Sequence, residues 1–351
     1  MTNLLVISVL TVVYTGLFLW AFRTLPREEW QILAAIPRTR QSNGWWTALN
    51  FTYYGLFTAA GVTMAAAIVF VLMAAVGLSV ATTFWLVLVL LGSATPAAKI
   101  IARLVEKKVN TFTIGGAAFV GVVLAPWVIL AIDFTAVVQR TANGMPIVPT
   151  MTILAIAYAV GEGTGRLACI SFGCCYGKPL AMLPRWISRL FDVHHFAFEG
   201  ATKKAVYEGR LDGTPLVPVQ GITAVLFVAV GVIGLTLFLQ GLALAAFVVT
   251  WTVTQVWRVV SEMLRADFRG DGRMSSYQIL ALVSAVYGLG IVFVFPETGS
   301  FAPDLSLGLK ALLHPGVMLT LQLIWIVMFL YTGRSKVTVS RVDVFIDRNQ
   351  V

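Results

Sequence analysis

Two short stretches of this 351-residue chain carry ionisable side chains inside runs that are otherwise long, apolar and free of charge. The first is Gly161-Glu162-Gly163-Thr164-Gly165-Arg166, in which Glu162 and Arg166 stand four apart and share one face of a helix. The second runs from Trp257 to Arg265, where Arg258, Glu262 and Arg265 fall at i, i+4 and i+7, again on one face. A charge at the centre of a membrane helix costs at least about 2.5–3.5 kcal/mol on insertion scales. A chain with only 12% charged residues has little reason to hold five of them there for packing. Guanidinium groups grip phosphate through a fixed fork of donors and do not lose their charge. The carboxylates would orient the arginines and limit their mutual repulsion. The expected chemistry is a membrane-embedded anion site for a phosphate-bearing lipid. The competing reading has the arginines near span ends, snorkelling to water; for Arg265, at the end of its stretch, that is the expected arrangement.

The elements that must position these residues follow from hydropathy. The chain is 58% hydrophobic, and its charged share is half the roughly 25% of a soluble domain. Lipid is therefore the solvent, and about 20 residues make one span. Runs at 3–22, 52–76, 79–98, 111–132, 145–172, two within 213–257 split near 240, 277–295 and 311–333 predict nine spans. The fold class expected is an all-α polytopic helix bundle, since open strands cannot satisfy their backbone in lipid and barrel-type alternation is absent. The run 3–22 lacks a basic leader and a clear cleavage site, and is expected to be a retained span rather than a signal peptide. Residues 23–50 read as a basic, Trp-bearing connection and 99–110 as a charged one. The largest connection, 177–216, contains Pro184 to Phe191, whose arginines at 185 and 189 share a face beside Trp186, Leu190 and Phe191; this predicts a short interfacial helix.

Cys169, Cys174 and Cys175 are an odd, clustered set, which excludes a disulfide framework. They lack paired C-x-x-C spacing and have no nearby histidine, so the sequence implies no metal, and no cofactor is expected. The Asp-x-x-x-Asp-Gly run from Asp267 has Arg269 at its third position and Gln278 at its twelfth, which makes calcium binding improbable. The net charge of +9 sits on no soluble module, so lipid head groups rather than nucleic acid are the expected partners.

The stretch Gly165-Arg166-Leu167-Ala168-Cys169-Ile170-Ser171-Phe172-Gly173-Cys174-Cys175-Tyr176-Gly177 resembles the signature of the prolipoprotein diacylglyceryl transferase family. Three further pieces follow in that family's order. Tyr53-Tyr54-Gly55-Leu56 looks like its first-helix Tyr-Gly-Leu motif. Pro218-Val219-Gln220 matches part of its Pro-x-Gln-Leu-Tyr-Glu motif. Arg258 to Arg265 with Gln278-Ile279-Leu280 is similar to its Arg-x-x-x-Glu-x-x-Arg…Gln-Ile-Leu stretch. The resemblance implies a bacterial inner-membrane enzyme that moves diacylglyceryl from phosphatidylglycerol to the cysteine thiol of a prolipoprotein signal peptide. It implies that Arg166, Arg258, Tyr54 and Glu262 are catalytic and that Arg265, Gly165, Gly177 and Gln220 contribute to substrate binding, to which the helical spacing adds Glu162. It covers residues 51–295, leaving 1–50 and 296–351 as an additional helix and connection at one end and an additional helix and tail at the other.

Departures from the family pattern bear on the acceptor. Ile114-Gly115-Gly116 stands where the family has His-Gly-Gly; Cys169, Phe172 and Cys174 replace the signature's asparagines and glutamate; Ile222-Thr223 replaces Tyr-Glu. The proton acceptor is thus missing. His194 and His195, in the large connection, are candidates to replace it, against the plainer expectation of exposed histidines with no role; a thiol ionised beside the arginines is a third possibility. Two other readings stay open: the same donor with a different acceptor (a small thiol, an amine or another lipid, cytosolic if the site faces inward), or a non-catalytic lipid-binding or transport protein on the same scaffold. Nine spans put all but four of the 25 Lys and Arg on the signature's side, the exceptions being Arg140, Lys310, Arg166 and Arg258. The positive-inside rule makes that side cytoplasmic, whereas the family resemblance implies a site facing outward.

Overall fold

Backbone in hydrocarbon must satisfy its own N–H and C=O groups, and the charge-free runs do so as helices. The computed structural model describes residues 1–106, 114–138, 145–267, 274–295 and 302–351. In chain order the elements are α1 (Thr2–Thr24), β1 (Ile32–Arg40), β2 (Trp46–Thr52), α2 (Tyr53–Ala75), α3 (Val80–Glu106), α4 (Ile114–Val138) and α5 (Ile147–Phe172). The large connection carries the short helices α6 (Arg185–Phe191) and α7 (Lys204–Tyr207). Then come α8 (Val219–Leu239), α9 (Ala243–Leu264), α10 (Ser276–Val294), α11 (Leu305–Ala311), α12 (Pro315–Thr332) and β3 (Arg334–Val342). All the helices but α6, α7 and α11 are long and apolar enough to cross a bilayer, which makes nine spans among the described residues, as the hydropathy requires. A short helix, α6, lies where one was expected at 184–191, with Trp186 and Leu190 exposed.

Two connections differ from expectation. Residues 99–106 continue α3 instead of leaving it. Lys99 and Arg103 lie one turn apart, and the Lys99 ammonium reaches over the Tyr331 ring at 5.1 Å, so a long stem can carry a charge away from the helix axis without ending the helix. Residues 23–50 are not an irregular connection. They form the hairpin β1–β2, turned at Gln41–Trp45 with Gly44 at a φ of 93°, and β2 pairs antiparallel with β3 on its other side. The hydropathy of Trp46–Thr52 merges into that of α2 and hid the strand. The near-calcium run from Asp267 falls largely on residues outside those described.

α5 is the hub. Its apolar window is 83% buried, against 11–28% for α1, α3, α4, α10 and α12. It packs closely on α2 and α8 because its glycines lie flat against them. A Cβ at Gly161 would strike Ala65 and the Gly61 carbonyl, and one at Gly163 would strike Val228. Small residues drive helix association in lipid, where apolar side chains gain nothing over lipid tails. The helix with the lowest hydropathy of the nine therefore sits among its neighbours, and its charges are shielded from lipid.

Candidate functional site

Glu162, almost fully buried, is the centre of the first ion network. It pairs with Arg166 one turn on, and across the helix interface with Arg258 of α9, whose guanidinium lies 3.1 and 3.2 Å from its two oxygens. The same Arg258 nitrogen donates to the Tyr158 hydroxyl at 2.9 Å. Tyr158, Glu162 and Arg166 repeat every four residues and make a single stripe on α5. Both arginines turn inward rather than snorkel, with side chains only 13% exposed. One carboxylate faces two guanidiniums, so the network keeps one net positive charge in a low-dielectric setting. Arg166 Nε is buried without a hydrogen-bond partner among the described residues. Such a group is costly unless an oxygen acceptor satisfies it.

The face expected to unite Arg258, Glu262 and Arg265 divides in two. Arg258 goes to Glu162. Glu262 bonds Arg265 at 3.2 Å and accepts from Ser275 at 3.2 Å. Arg265 does not reach water; it is 8% exposed and held by a two-pronged contact with Asp267 at 2.7 and 2.8 Å. The reason lies in the backbone. Residues 176–178 run antiparallel to 264–266, with Lys178 N–H donating to the Leu264 carbonyl and Ala266 N–H to the Tyr176 carbonyl. This draws the end of α9 under the signature loop. A Cβ at Gly115 would collide with the Arg258 guanidinium, so the glycine in place of a larger residue makes room for it. The side chain of Ile114, at the family's histidine position, lies outside the described residues.

The signature loop leaves α5 through Gly173, which takes a φ of 69°. The turn returns the Cys174 N–H to the Cys169 carbonyl at 3.1 Å, a Schellman-type stop. Cys174 therefore folds back over Cys169, and Cys175, itself left-handed at a φ of 56°, completes the fold. The three Sγ atoms lie within 4.8 Å of one another, and none is in a disulfide. Spacing in sequence gave no sign of this, because the turn rather than the interval makes the cluster. Gln220 donates to the Cys174 carbonyl at 2.8 Å and so pins the loop. Gly177 lies against the Val217 backbone, which a Cβ would strike, and its observed part is close packing. A Cβ at Gly165, beside Arg166, would meet nothing within 4 Å. Tyr54, at the start of α2, packs edge-on to Phe172 with ring centres 5.6 Å apart and stands within electrostatic reach of Arg166 and the cysteines.

His195 holds its own loop through the Asp192 carbonyl at 2.9 Å, and His194 is exposed; among the described residues neither bonds to the arginine network. Lys203, which hydropathy gave no reason to single out, is fully buried and donates to the carbonyls of Leu25 and Ser171, joining the ends of α1 and α5. Its burial pulls the ammonium down to about 7, against the attraction of Glu28. Below the arginines, an apolar cavity of about 150 Å³ is lined by Leu90, Val122, Met151, Leu154, Tyr158 and Trp251 among others. Tyr158 belongs to both the cavity and the ion network, so polar and apolar compartments adjoin as the two parts of a lipid do.

Residues 45–294 match the family model described as prolipoprotein diacylglyceryl transferase. No curated protein matches the chain.

Proposed function

This chain belongs to the prolipoprotein diacylglyceryl transferase family, a family of membrane transferases, and from that premise we propose that it takes phosphatidylglycerol as donor and a cysteine thiol as acceptor. The observation that carries the reading is the buried Glu162–Arg166–Arg258 network with its one surplus positive charge, next to an apolar cavity. A phosphodiester brings the single negative charge the network lacks, and an acyl chain suits the cavity. Glu162 keeps the two forks oriented before the lipid arrives, so little reorganisation is needed as charge develops on the leaving phosphate. Displacement at the diacylglyceryl C3 breaks its C–O bond and releases glycerol phosphate, on which Arg166 and Arg258 are the donors. Tyr54, Glu262, Arg265 and Gln220 shape the loop above them. A bacterial inner membrane is the setting this substrate pair implies.

The lipid that copurifies in mild detergent tests the donor half. Mass spectrometry should find phosphatidylglycerol enriched over its share of the host membrane, and depleted in Arg166→Lys and Arg258→Lys proteins. Equal retention of a zwitterionic phospholipid by all three would overturn it.

A further inference from the structure

The donor half of the reaction uses the arginines and leaves three thiols at the same place without a task. The acceptor half needs its sulfur deprotonated, and among the described residues no histidine bonds to the arginine network. We propose that Cys169, Cys174 and Cys175 bind one zinc ion as a three-thiolate centre whose fourth position takes the acceptor thiol. The metal site stands on the cysteines alone; its part in the reaction rests on the transferase reading above.

The geometry is that of a built site. Zinc–sulfur bonds of about 2.3 Å place thiolates about 3.8 Å apart in a tetrahedron and about 4.0 Å apart in a plane. The Sγ atoms of Cys174 and Cys175 are 4.0 Å apart, and all three cysteines fall within 4.8 Å. Two left-handed residues, Gly173 and Cys175, bring them together, and Gln220 fixes the loop between. Cys169 is buried while Cys174 and Cys175 are half-buried, so the centre is closed on the helix side and open on the other. Three protein ligands with one open position mark a catalytic rather than a structural zinc. Soft thiolate ligands select zinc or cuprous ion over hard cations. Three thiolates around a zinc ion carry one net negative charge, and the guanidiniums of Arg166 and Arg265 lie within electrostatic reach of Cys175 to offset it.

The chemistry closes without a protein base. A thiol that coordinates zinc gives up its proton, here to water at the head-group boundary. Its sulfur then forms a bond to the diacylglyceryl C3 as the C–O bond to phosphate breaks. The electron pair leaves with glycerol phosphate, held by the arginines. The thioether product is a weaker zinc ligand than a thiolate and departs, and the metal keeps its oxidation state throughout.

Full-length protein, purified with thiols reduced and equilibrated with zinc, should retain one zinc per chain after passage over a chelating resin. The Cys169→Ser and Cys174→Ser proteins should retain none. Substituting cobalt in the wild-type chain, which needs no variant to fold, should give thiolate-to-metal charge-transfer absorption that shifts when a cysteine peptide is added. Removing the metal should abolish glycerol phosphate release, and zinc should restore it. Zinc content no higher than in a triple serine variant, recovery of a disulfide within the cluster from reduced protein, or binding of cuprous ion but not zinc would each overturn the site. Glycerol phosphate release that persists in metal-stripped protein would overturn the metal's role and leave the transferase reading intact. Stoichiometric zinc in a protein that never releases glycerol phosphate would support the site and remove both the reaction and the metal's part in it.

Discussion

Glu162 holds the ion network together: among the described residues it is the one acid that pairs with two arginines from different helices. Replacing it by glutamine leaves both guanidiniums without a buried counter-ion, and breaking a buried pair in that way costs about 3–5 kcal/mol. The Glu162→Gln protein should show that loss in thermal unfolding in detergent; an unchanged midpoint would contradict it. Arg166→Lys and Arg258→Lys keep the charge and lose the fork, and each should lower turnover by about 10²–10³ while insertion is normal. Near-normal turnover in either would remove that residue from the site. The double variant His194→Ala, His195→Ala should keep its turnover and the shape of its pH–rate profile between about pH 5 and 8, since His195 serves its own loop. A flattened profile would restore the histidines as the base. The sequence made the Glu162–Arg166 pair legible through helical spacing. The partner of Arg258 was not legible, because a contact between residues 96 positions apart depends on helix packing. Tyr158 could have been found, four residues before Glu162 on the same stripe.

Helix ends carry what the spans cannot. α5 stops at the left-handed Gly173, and that stop, rather than the spacing of its cysteines, gathers the three thiols. Lys203 joins the carboxyl ends of α5 and α1, where helix dipoles favour a cation. Its pKa of about 7 in the fold lies below the ordinary 10.5. Between these values the unfolded chain holds the proton and the folded chain does not, so stability rises with pH across that window. The unfolding midpoint should therefore climb from about pH 7 towards pH 10. The Lys203→Met protein should lack this climb and be less stable throughout, by about 1–3 kcal/mol for each buried carbonyl left unpaired. A midpoint that falls over the same range, or an unaltered Lys203→Met protein, would contradict this account. Hydropathy located nine spans, since twenty apolar residues in a row have few alternatives in water or lipid. It missed the three-stranded sheet, whose β2 and β3 are separated by most of the chain and whose apolar residues abut a span.

At the scale of the whole molecule, the sheet, the large connection, the signature loop and most of the Lys and Arg among the described residues gather at one end of the bundle. The positive-inside rule assigns that end to the cytoplasm, while a site for anionic lipid gathers cations for its own reasons. Single cysteines at Ser42 and Val193, both exposed, placed in a background without the native three, separate the two. By charge, an impermeant thiol reagent should reach neither until cells are permeabilised, and the acceptor is then cytosolic. Labelling of both in intact cells would contradict the charge-based orientation and place the acceptor outside. Neither result alters the proposed donor chemistry. Its most direct measurement uses phosphatidylglycerol labelled in its terminal glycerol, reconstituted with the zinc-equilibrated protein and a cysteine peptide. Labelled glycerol phosphate should appear in water with an equal amount of diacylglyceryl thioether on the peptide, both formed about 10²–10³-fold more slowly by the Arg166→Lys protein. Labelled lipid that stays intact, bound to the protein through many equivalents of peptide, would contradict it.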